Sequence, residues 1–146
     1  MIRIKEALEK PDPVKQAQEF LDGYEIYKFL GIKVMELKEG YIKVAFPKKE
    51  VILRPGGIIH GGFAMAIIDT VAGLAVRTVT DYPETVTVEL KVNFLETMKG
   101  EIFTAIGNVI RKGRRVIVAE GEIINEMGKL CVKGIGTWIG IENKFE

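Results

Sequence analysis

The sequence contains few of the residues that build metal sites, disulfides or surfaces of one charge. Its 146 residues include one cysteine and one histidine, and 21 basic residues nearly balance 20 acidic ones. Cys131 therefore has no partner for a disulfide within the chain, and His60 is too isolated to form a metal cluster. The balanced charge gives no field that would attract nucleic acid or a membrane surface. We expect no metal, no organic cofactor, no nucleic-acid partner and no membrane partner.

The chain also lacks linkers, internal repeats and low-complexity stretches. Its first ten residues alternate charges without an apolar signal segment, which together with the single cysteine predicts a reducing, cytoplasmic location. A length of 146 residues is typical of one domain that buries its own core. We therefore expect a single domain over residues 1–146.

The first half of the chain changes from a helical to a strand-like pattern. Residues 1–30 are predicted to form a helical N-terminal cover, in which Asp12 can cap a helix and Pro13 suits its first position. Gly31 then begins a region where apolar residues alternate with polar ones. This alternation predicts two antiparallel strands within residues 32–46, joined by a turn that ends at Gly40.

Residues 61–77 predict a long helix in the core. They are almost entirely apolar, and Asp69 and Thr70 are the only polar residues between Gly62 and Arg77. A helix that is apolar on every side must be buried. The run is short for a membrane span and has a carboxylate at its middle, so a central core helix is the better interpretation.

The second half of the chain is predicted to consist of strands. Residues 86–94 alternate strictly between apolar and polar side chains, and three further β-rich runs cover residues 101–111, 115–125 and 130–141. A single antiparallel sheet can curl around one apolar helix and bury it. The sequence pattern therefore predicts an α+β fold with a curved sheet of about six strands around the central helix.

A glycine-rich run, residues 54–62, leads directly into this helix. Glycines allow a tight turn and close approach of a ligand, and the free N–H groups and dipole at a helix start can stabilise an oxyanion. Asp69 lies nine residues after His60, about two and a half helical turns away. We therefore expect a second subunit, rather than the same chain, to bring a helix start to this carboxylate.

The run His60-Gly61-Gly62, with an acid at Asp69 and small residues at 72–75, resembles the signature of hotdog-fold acyl-CoA thioesterases of the phenylacetate-degradation (PaaI-like) type. The similarity extends over roughly residues 30–140. It implies a hotdog fold and hydrolysis of an acyl-CoA, with an aromatic or medium-chain acyl group, to free acid and coenzyme A. Coenzyme A would enter as part of the substrate.

The resemblance assigns catalytic roles to particular residues. The Gly61 amide polarises the thioester carbonyl, and Asp69 of the neighbouring subunit attacks it or activates water. His60 orients groups near that carbonyl, and Thr87 assists the water. These roles require a homodimer as the minimal active unit, and enzymes of this type often pair their dimers into homotetramers.

The resemblance also implies residues that bind the substrate. They are Arg54, Gly62, Asn93 and Phe94, together with the basic turn Arg111, Lys112, Gly113 and Arg114 near the coenzyme A phosphates. Arg54 departs from the family pattern, because many relatives carry an asparagine there. An arginine can bind the substrate carbonyl, or pair with a nearby Asp69 and lower its pKa.

Simpler structural roles remain open for several of these residues. Asp69 can be a buried carboxylate that pairs with helix amides or an arginine, and His60 can be a helix cap. Thr87 can serve strand packing alone, and the basic turn can be a solvated hairpin tip. Cys131, between apolar residues of a predicted strand, is expected to be a core residue.

Two other functions are compatible with the sequence. A non-catalytic acyl-CoA-binding or sensor protein would keep the pocket without turnover, and Arg54 in place of asparagine motivates this alternative. A hotdog dehydratase acting on hydroxyacyl thioesters is a weaker alternative, because the chain lacks the motifs in which such enzymes pair a catalytic histidine with an acid.

Overall fold

The computed structural model describes residues 3–142 as three short helices, one long helix and a six-stranded antiparallel sheet. The helices are α1 (Ile4–Ala7), α2 (Pro13–Asp22), α3 (Glu25–Leu30) and α4 (Gly61–Val79). The strands are β1 (Lys33–Lys38), β2 (Tyr41–Pro47), β3 (Leu53–Arg54), β4 (Ile58–Ile59), β5 (Glu84–Phe94), β6 (Ile102–Lys112), β7 (Val116–Ile124) and β8 (Leu130–Ile141). The short β3 and β4 pair only with each other. The predicted α+β hotdog fold is confirmed.

The N-terminal cover consists of short helices rather than one continuous helix, and the first two residues of the predicted cover lie outside the described residues. As predicted, Asp12 caps α2 by accepting the Lys15 N–H at 3.0 Å, and Pro13 is its first residue. Two prolines around Asp12 prevent α1 from continuing into α2. Gly31 ends α3 with a left-handed φ of 68°, which turns the chain into β1.

The strands lie in the order β1-β2-β6-β7-β8-β5, and every neighbouring pair is antiparallel. β5 follows α4 in the chain and pairs only with β8, so it forms one edge of the sheet. This edge strand has 11 residues. Its outer backbone N–H and C=O groups have no strand partner within residues 3–142, which leaves a long edge available for pairing.

The long helix lies directly on a row of glycines. Gly107, Gly121 and Gly134, in β6, β7 and β8, face one another as register partners across the three strands. A Cβ atom at Gly107 would overlap the carbonyl group of Val71, and one at Gly134 would lie 2.6 Å from the Ile68 side chain. The missing side chains therefore allow the α4 backbone to approach the sheet closely.

The sheet and the N-terminal cover leave one side of α4 open. Ten of its residues are buried. By length and composition the helix could cross a membrane, but 56% of its most apolar window is buried inside the fold. One stripe, formed by Met65, Asp69, Gly73 and Arg77, is exposed or half-buried. The expected burial on every side is thus wrong for a single chain, and the open stripe contains the acid.

Candidate active site

Asp69 contacts the strand that follows its own helix. Its Oδ1 atom accepts a hydrogen bond of 2.8 Å from the Thr87 hydroxyl on β5. Within residues 3–142 no other side chain or backbone group forms a hydrogen bond with this carboxylate. One oxygen is therefore oriented by Thr87, and the other is free to accept a proton or contact a ligand.

A pocket of about 140 Å³ adjoins this carboxylate. Helix α3 contributes Tyr27 to its wall, α4 contributes Arg77, and β8 contributes Trp138. Thr87 and a second threonine of β5, together with Thr70 of α4, add further polar groups to the lining. The N-terminal cover therefore forms part of the Asp69 pocket, in addition to covering the core.

The charged and polar groups of this pocket are partly desolvated. Arg77 forms an ion pair with Glu84, and burial lowers the pKa of its guanidinium group. Burial raises the pKa of the Tyr27 phenol above its usual 10.0, with the Arg77 charge opposing and the Asp69 charge adding to the shift. Tyr27 is therefore a protonated hydrogen-bond donor at neutral pH, next to a carboxylate and a cation.

The glycine-rich run builds the start of α4. Gly56 and Gly57 turn the chain between β3 and β4 with φ values of 97° and 73°. His60 then caps the helix, because its Nδ1 atom accepts the Gly62 N–H at 2.9 Å. The preceding N–H, that of Gly61, has no acceptor within residues 3–142. This free N–H and the helix dipole can polarise a carbonyl oxygen.

Gly61 opens into a larger pocket of about 460 Å³. Arg54 and Phe94 line the same pocket, and the Phe94 ring lies 3.4 Å from the position that a Gly61 Cβ would occupy. The Arg54 guanidinium donates to the Pro55 carbonyl at 3.1 Å. No ion pair joins Arg54 to Asp69 within residues 3–142. Arg54 therefore lies beside the start of α4, in the Gly61 pocket, and not beside Asp69.

The helix start and the acid do not meet within one chain. The pockets of Gly61 and Asp69 share no lining residue. Eight residues of α4 separate them, which corresponds to about 12 Å along the helix axis. Within one chain the Gly61 N–H and the Asp69 carboxylate therefore lie in separate pockets, and a second subunit at this site stays a prediction.

Other predicted substrate-binding residues lie elsewhere. Lys112, Gly113 and Arg114 line a separate pocket of about 420 Å³ beside the loop between α4 and β5. Arg111 is exposed on β6, and Asn93 is exposed on β5 opposite a lysine of β8. Within one chain, the structure does not bring these residues to either the Asp69 or the Gly61 pocket.

Two sequence expectations concern side-chain chemistry outside the site. Cys131 is fully buried, and burial raises the pKa of its thiol, as expected for a core residue and not for a nucleophile. The part of the chain that the structure describes contains no group of three or more histidine, cysteine, aspartate or glutamate residues that could hold a metal ion.

The sequence interpretation did not single out Tyr27, Arg77 or Trp138. Arg77 had a weak signal, because it lies eight residues after Asp69, just over two turns along α4 and about 80° around the helix axis. Tyr27 and Trp138 come from elements far apart in the chain, and no spacing connects them with the acid. Only the folded arrangement brings them into one pocket.

A curved antiparallel sheet around one long helix, with an acid on the open side of that helix, defines a hotdog-fold protein. The model of the thioesterase superfamily matches residues 56–132, which include the helix start, Asp69 and Thr87. The chain belongs to the thioesterase superfamily, and its general activity is that of a hydrolase.

A curated relative is similar over most of this chain, and solved structures share its fold. A protein of Saccharolobus solfataricus named "Putative esterase SSO2140" is 46% identical, with 92% of this chain and 97% of the relative covered. The fold is shared with a thioesterase family protein from Silicibacter pomeroyi (TM-score 0.80, 22% identity, 87% and 96% of the two chains). It is also shared with the E. coli PaaI protein from the phenylacetic acid degradation operon (TM-score 0.78, 23% identity, 87% and 91%).

Proposed function

We propose that this protein is an acyl-CoA thioesterase that hydrolyses an aromatic or medium-chain acyl-CoA to the free acid and coenzyme A. The main support is the pairing of Asp69 with the Thr87 hydroxyl on the open side of α4. A carboxylate that is held by one hydrogen bond and open to a pocket is suited to act as a general base. Membership of the thioesterase superfamily supports cleavage of the thioester bond.

In this proposal Asp69 of one subunit acts together with Gly61 of the partner subunit. The carboxylate removes a proton from water while the water oxygen attacks the carbonyl carbon, and the Gly61 N–H stabilises the oxyanion. Collapse of the tetrahedral intermediate breaks the C–S bond, and the proton moves from Asp69 to the leaving thiolate. Thr87 keeps the carboxylate oriented, and the His60 cap holds the helix start in place.

The edge strand β5 supports a homodimer as the minimal active unit. Its outer edge is free in the described chain, and it carries the exposed apolar side chains Val88 and Phe94. Pairing of two β5 edges would bring two open α4 stripes together and cover these side chains. The proposal includes pairing of dimers into a homotetramer and a cytoplasmic location. It includes neither a metal nor an organic cofactor.

The proposal also assigns the coenzyme A phosphates to the basic turn, Arg111, Lys112, Gly113 and Arg114. This turn would belong to a different subunit from the Gly61 pocket that holds the thioester. Three of these residues line a pocket that is separate from the Gly61 pocket in the same chain. Arginine and lysine are suitable donors for phosphate oxygens. The two regions can serve one substrate if different subunits contribute them.

Replacement of Asp69 by asparagine tests the proposal. Asn has nearly the same shape but cannot accept the proton, so kcat should fall by about 10²–10⁴-fold while the fold and the assembly persist. Free thiol release from aliphatic and aromatic acyl-CoAs measures the effect. Asp22→Asn, in an exposed acid at the end of α2, is the matched control. An unchanged kcat for Asp69→Asn would remove this acid from the mechanism.

An acyl-CoA sensor without turnover is the second candidate, because Arg54, which departs from the asparagine that the family resemblance implies, lines the Gly61 pocket. A fixed cation there can hold a thioester carbonyl without activating water. The same acyl-CoA panel, measured for equilibrium binding beside thiol release, separates the two functions. Tight binding without release of thiol would favour the sensor.

A further inference from the structure

The pocket beside Asp69 contains more hydrogen-bond donors than the proposed hydrolysis requires. We infer that this pocket binds an oxygen atom of the acyl group, so that preferred substrates carry an uncharged hydroxyl or keto oxygen on the second or third carbon of the acyl chain, counted from the thioester carbonyl carbon. This inference rests on the proposed function and adds the substrate class.

Trp138 provides the first observation. Its side chain is only 2% exposed and lines the Asp69 pocket. The indole N–H has no acceptor within residues 3–142, although every fully enclosed side-chain nitrogen and oxygen there has a partner. The N–H is therefore reached from the pocket. A ligand oxygen that enters the pocket can therefore accept a hydrogen bond from this largely buried donor.

Gly73 keeps this donor accessible. A Cβ atom at this position would lie 3.3 Å from the Trp138 indole nitrogen. Glycine within a helix is less favourable than alanine, because its backbone loses more conformational freedom. Access to the indole N–H provides a physical reason for a glycine at this point of α4.

Tyr27 and the charges around it indicate an uncharged acceptor. The Tyr27 phenol lines the pocket as a donor. Arg77 is already paired with Glu84, so Arg77, Glu84 and Asp69 together have a net charge of −1. A carboxylate on the acyl group would add a second negative charge in a partly desolvated site, which is unfavourable. A hydroxyl or keto oxygen accepts the same hydrogen bonds without this cost.

The helix geometry indicates where this oxygen lies on the substrate. Gly73 is four residues from Asp69, which is about 6 Å along the helix axis. A reacting carbonyl carbon lies about 3–3.5 Å from the group or water that attacks it. An acceptor beside Gly73 therefore corresponds to an oxygen on the second or third carbon of the acyl chain, and the rest of a medium-length chain extends beyond it.

The substrate test uses kcat/KM for hexanoyl-CoA, 3-hydroxyhexanoyl-CoA, 3-oxohexanoyl-CoA and succinyl-CoA. The two oxygenated hexanoyl esters should exceed hexanoyl-CoA by about tenfold, the effect of one net hydrogen bond. Succinyl-CoA, whose carboxylate would reach the same donors, should be the slowest. Equal rates for hexanoyl-CoA and its oxygenated forms would overturn the inference, as would a preference for succinyl-CoA.

Two variants locate the preference in this pocket. Gly73→Ala adds a methyl group against the indole N–H and improves helix propensity, and Tyr27→Phe removes one hydroxyl. Each should lower the ratio of 3-hydroxyhexanoyl to hexanoyl kcat/KM toward one. Tyr24→Phe is the control, because Tyr24 belongs to the same cover but is 42% exposed and does not line the pocket. An unchanged ratio in both pocket variants would exclude this site.

Failure of the proposed function can be distinguished from failure of this inference. If some acyl-CoAs are hydrolysed without an oxygen preference, the thioesterase proposal stands and the subsite is wrong. If none releases thiol, calorimetric dissociation constants of the wild-type protein for hexanoyl-CoA and 3-hydroxyhexanoyl-CoA decide the matter. About tenfold tighter binding of the hydroxylated ester would support the subsite, and equal affinities would overturn it.

Discussion

At the level of single residues, the contacts of His60 show that it caps the start of α4. Its Nδ1 atom accepts the Gly62 N–H, so the imidazole replaces one of the hydrogen bonds that a helix start lacks. The neighbouring Gly61 N–H remains free within the described chain. The cap thus orders the residue that is proposed to polarise the thioester.

Replacement of His60 separates capping from direct catalysis. His60→Asn retains a side-chain acceptor and should keep both the melting temperature and kcat, whereas His60→Ala should lose about 1 kcal/mol of stability. Thermal unfolding and thiol release measure the two properties. A His60→Asn protein with normal stability but kcat reduced more than tenfold would show that the imidazole itself contacts the reacting carbonyl.

The individual site residues differed in how well the sequence revealed them. Asp69 stood out because a carboxylate within an apolar helix requires a reason. Thr87 gave almost no signal, since threonine is common in strands, yet it is the residue that binds Asp69. Tyr27 and Trp138 could not be predicted, because their proximity depends on how α3 and β8 pack against α4.

At the level of elements, the close contact between α4 and the sheet predicts that one added methyl group lowers the stability of the fold. Gly107→Ala would place a Cβ atom against the carbonyl group of Val71. Because both partners belong to packed backbone, the strain cannot be relieved by rotation of a side chain. We expect a loss of about 1–3 kcal/mol in the free energy of unfolding, measured by denaturant titration.

The control is a second glycine-to-alanine substitution, placed on α4 itself and away from the row of sheet glycines. Gly73→Ala places its methyl group on the open stripe of α4, 3.3 Å from the Trp138 indole nitrogen, so this close contact offsets the gain in helix propensity and stability should change by less than about 1 kcal/mol. Equal stabilities for Gly107→Ala and the wild-type protein would show that the sheet can move away from α4.

Long elements were predictable from the sequence and short ones were not. The central helix and the strands of the second half lie within a few residues of their predicted bounds, because an apolar run and strict alternation are strong signals. β3 and β4 have two residues each, too few for alternation to be visible. The N-terminal cover was predicted as helical, but its division into three helices depends on local prolines and glycines.

At the level of the whole molecule, mixed dimers test whether two subunits share each site. Gly61→Pro removes the proposed oxyanion donor. Proline suits the first position of a helix, and His60 already has the extended backbone that precedes proline (φ −63°, ψ 133°). Asp69→Asn and Gly61→Pro should each be nearly inactive alone. Equal amounts unfolded and refolded together should recover about one quarter of wild-type activity, because half of the dimers contain one intact site.

A mixture that stays inactive would contradict the shared site. If Asp69 and Gly61 of the same chain formed the site, every subunit in the mixture would remain defective and no activity would return. Mass measurement of the mixture must show mixed dimers for either result to count.

The sequence predicts the fold of one chain better than it predicts the acyl group that the assembled protein binds. The pattern of apolar residues predicts that the sheet curls around α4, because an apolar helix must be buried. It does not specify which acyl group fits, since in the proposed dimer two copies of the chain contribute the walls of the pocket. The outer edge of β5 has no strand partner within residues 3–142 and is the proposed place for a second copy.

The glycine row beneath α4 has a consequence for how substrate choice can change. Val71 and Ile68, the α4 residues closest to the row, lie two positions after and one position before Asp69. A substitution in the sheet that lifts the helix by a fraction of an ångström would shift the carboxylate by a similar distance. Variation on the concave face of the sheet, remote from any ligand, could therefore retune reactivity without replacing a single residue that touches the thioester.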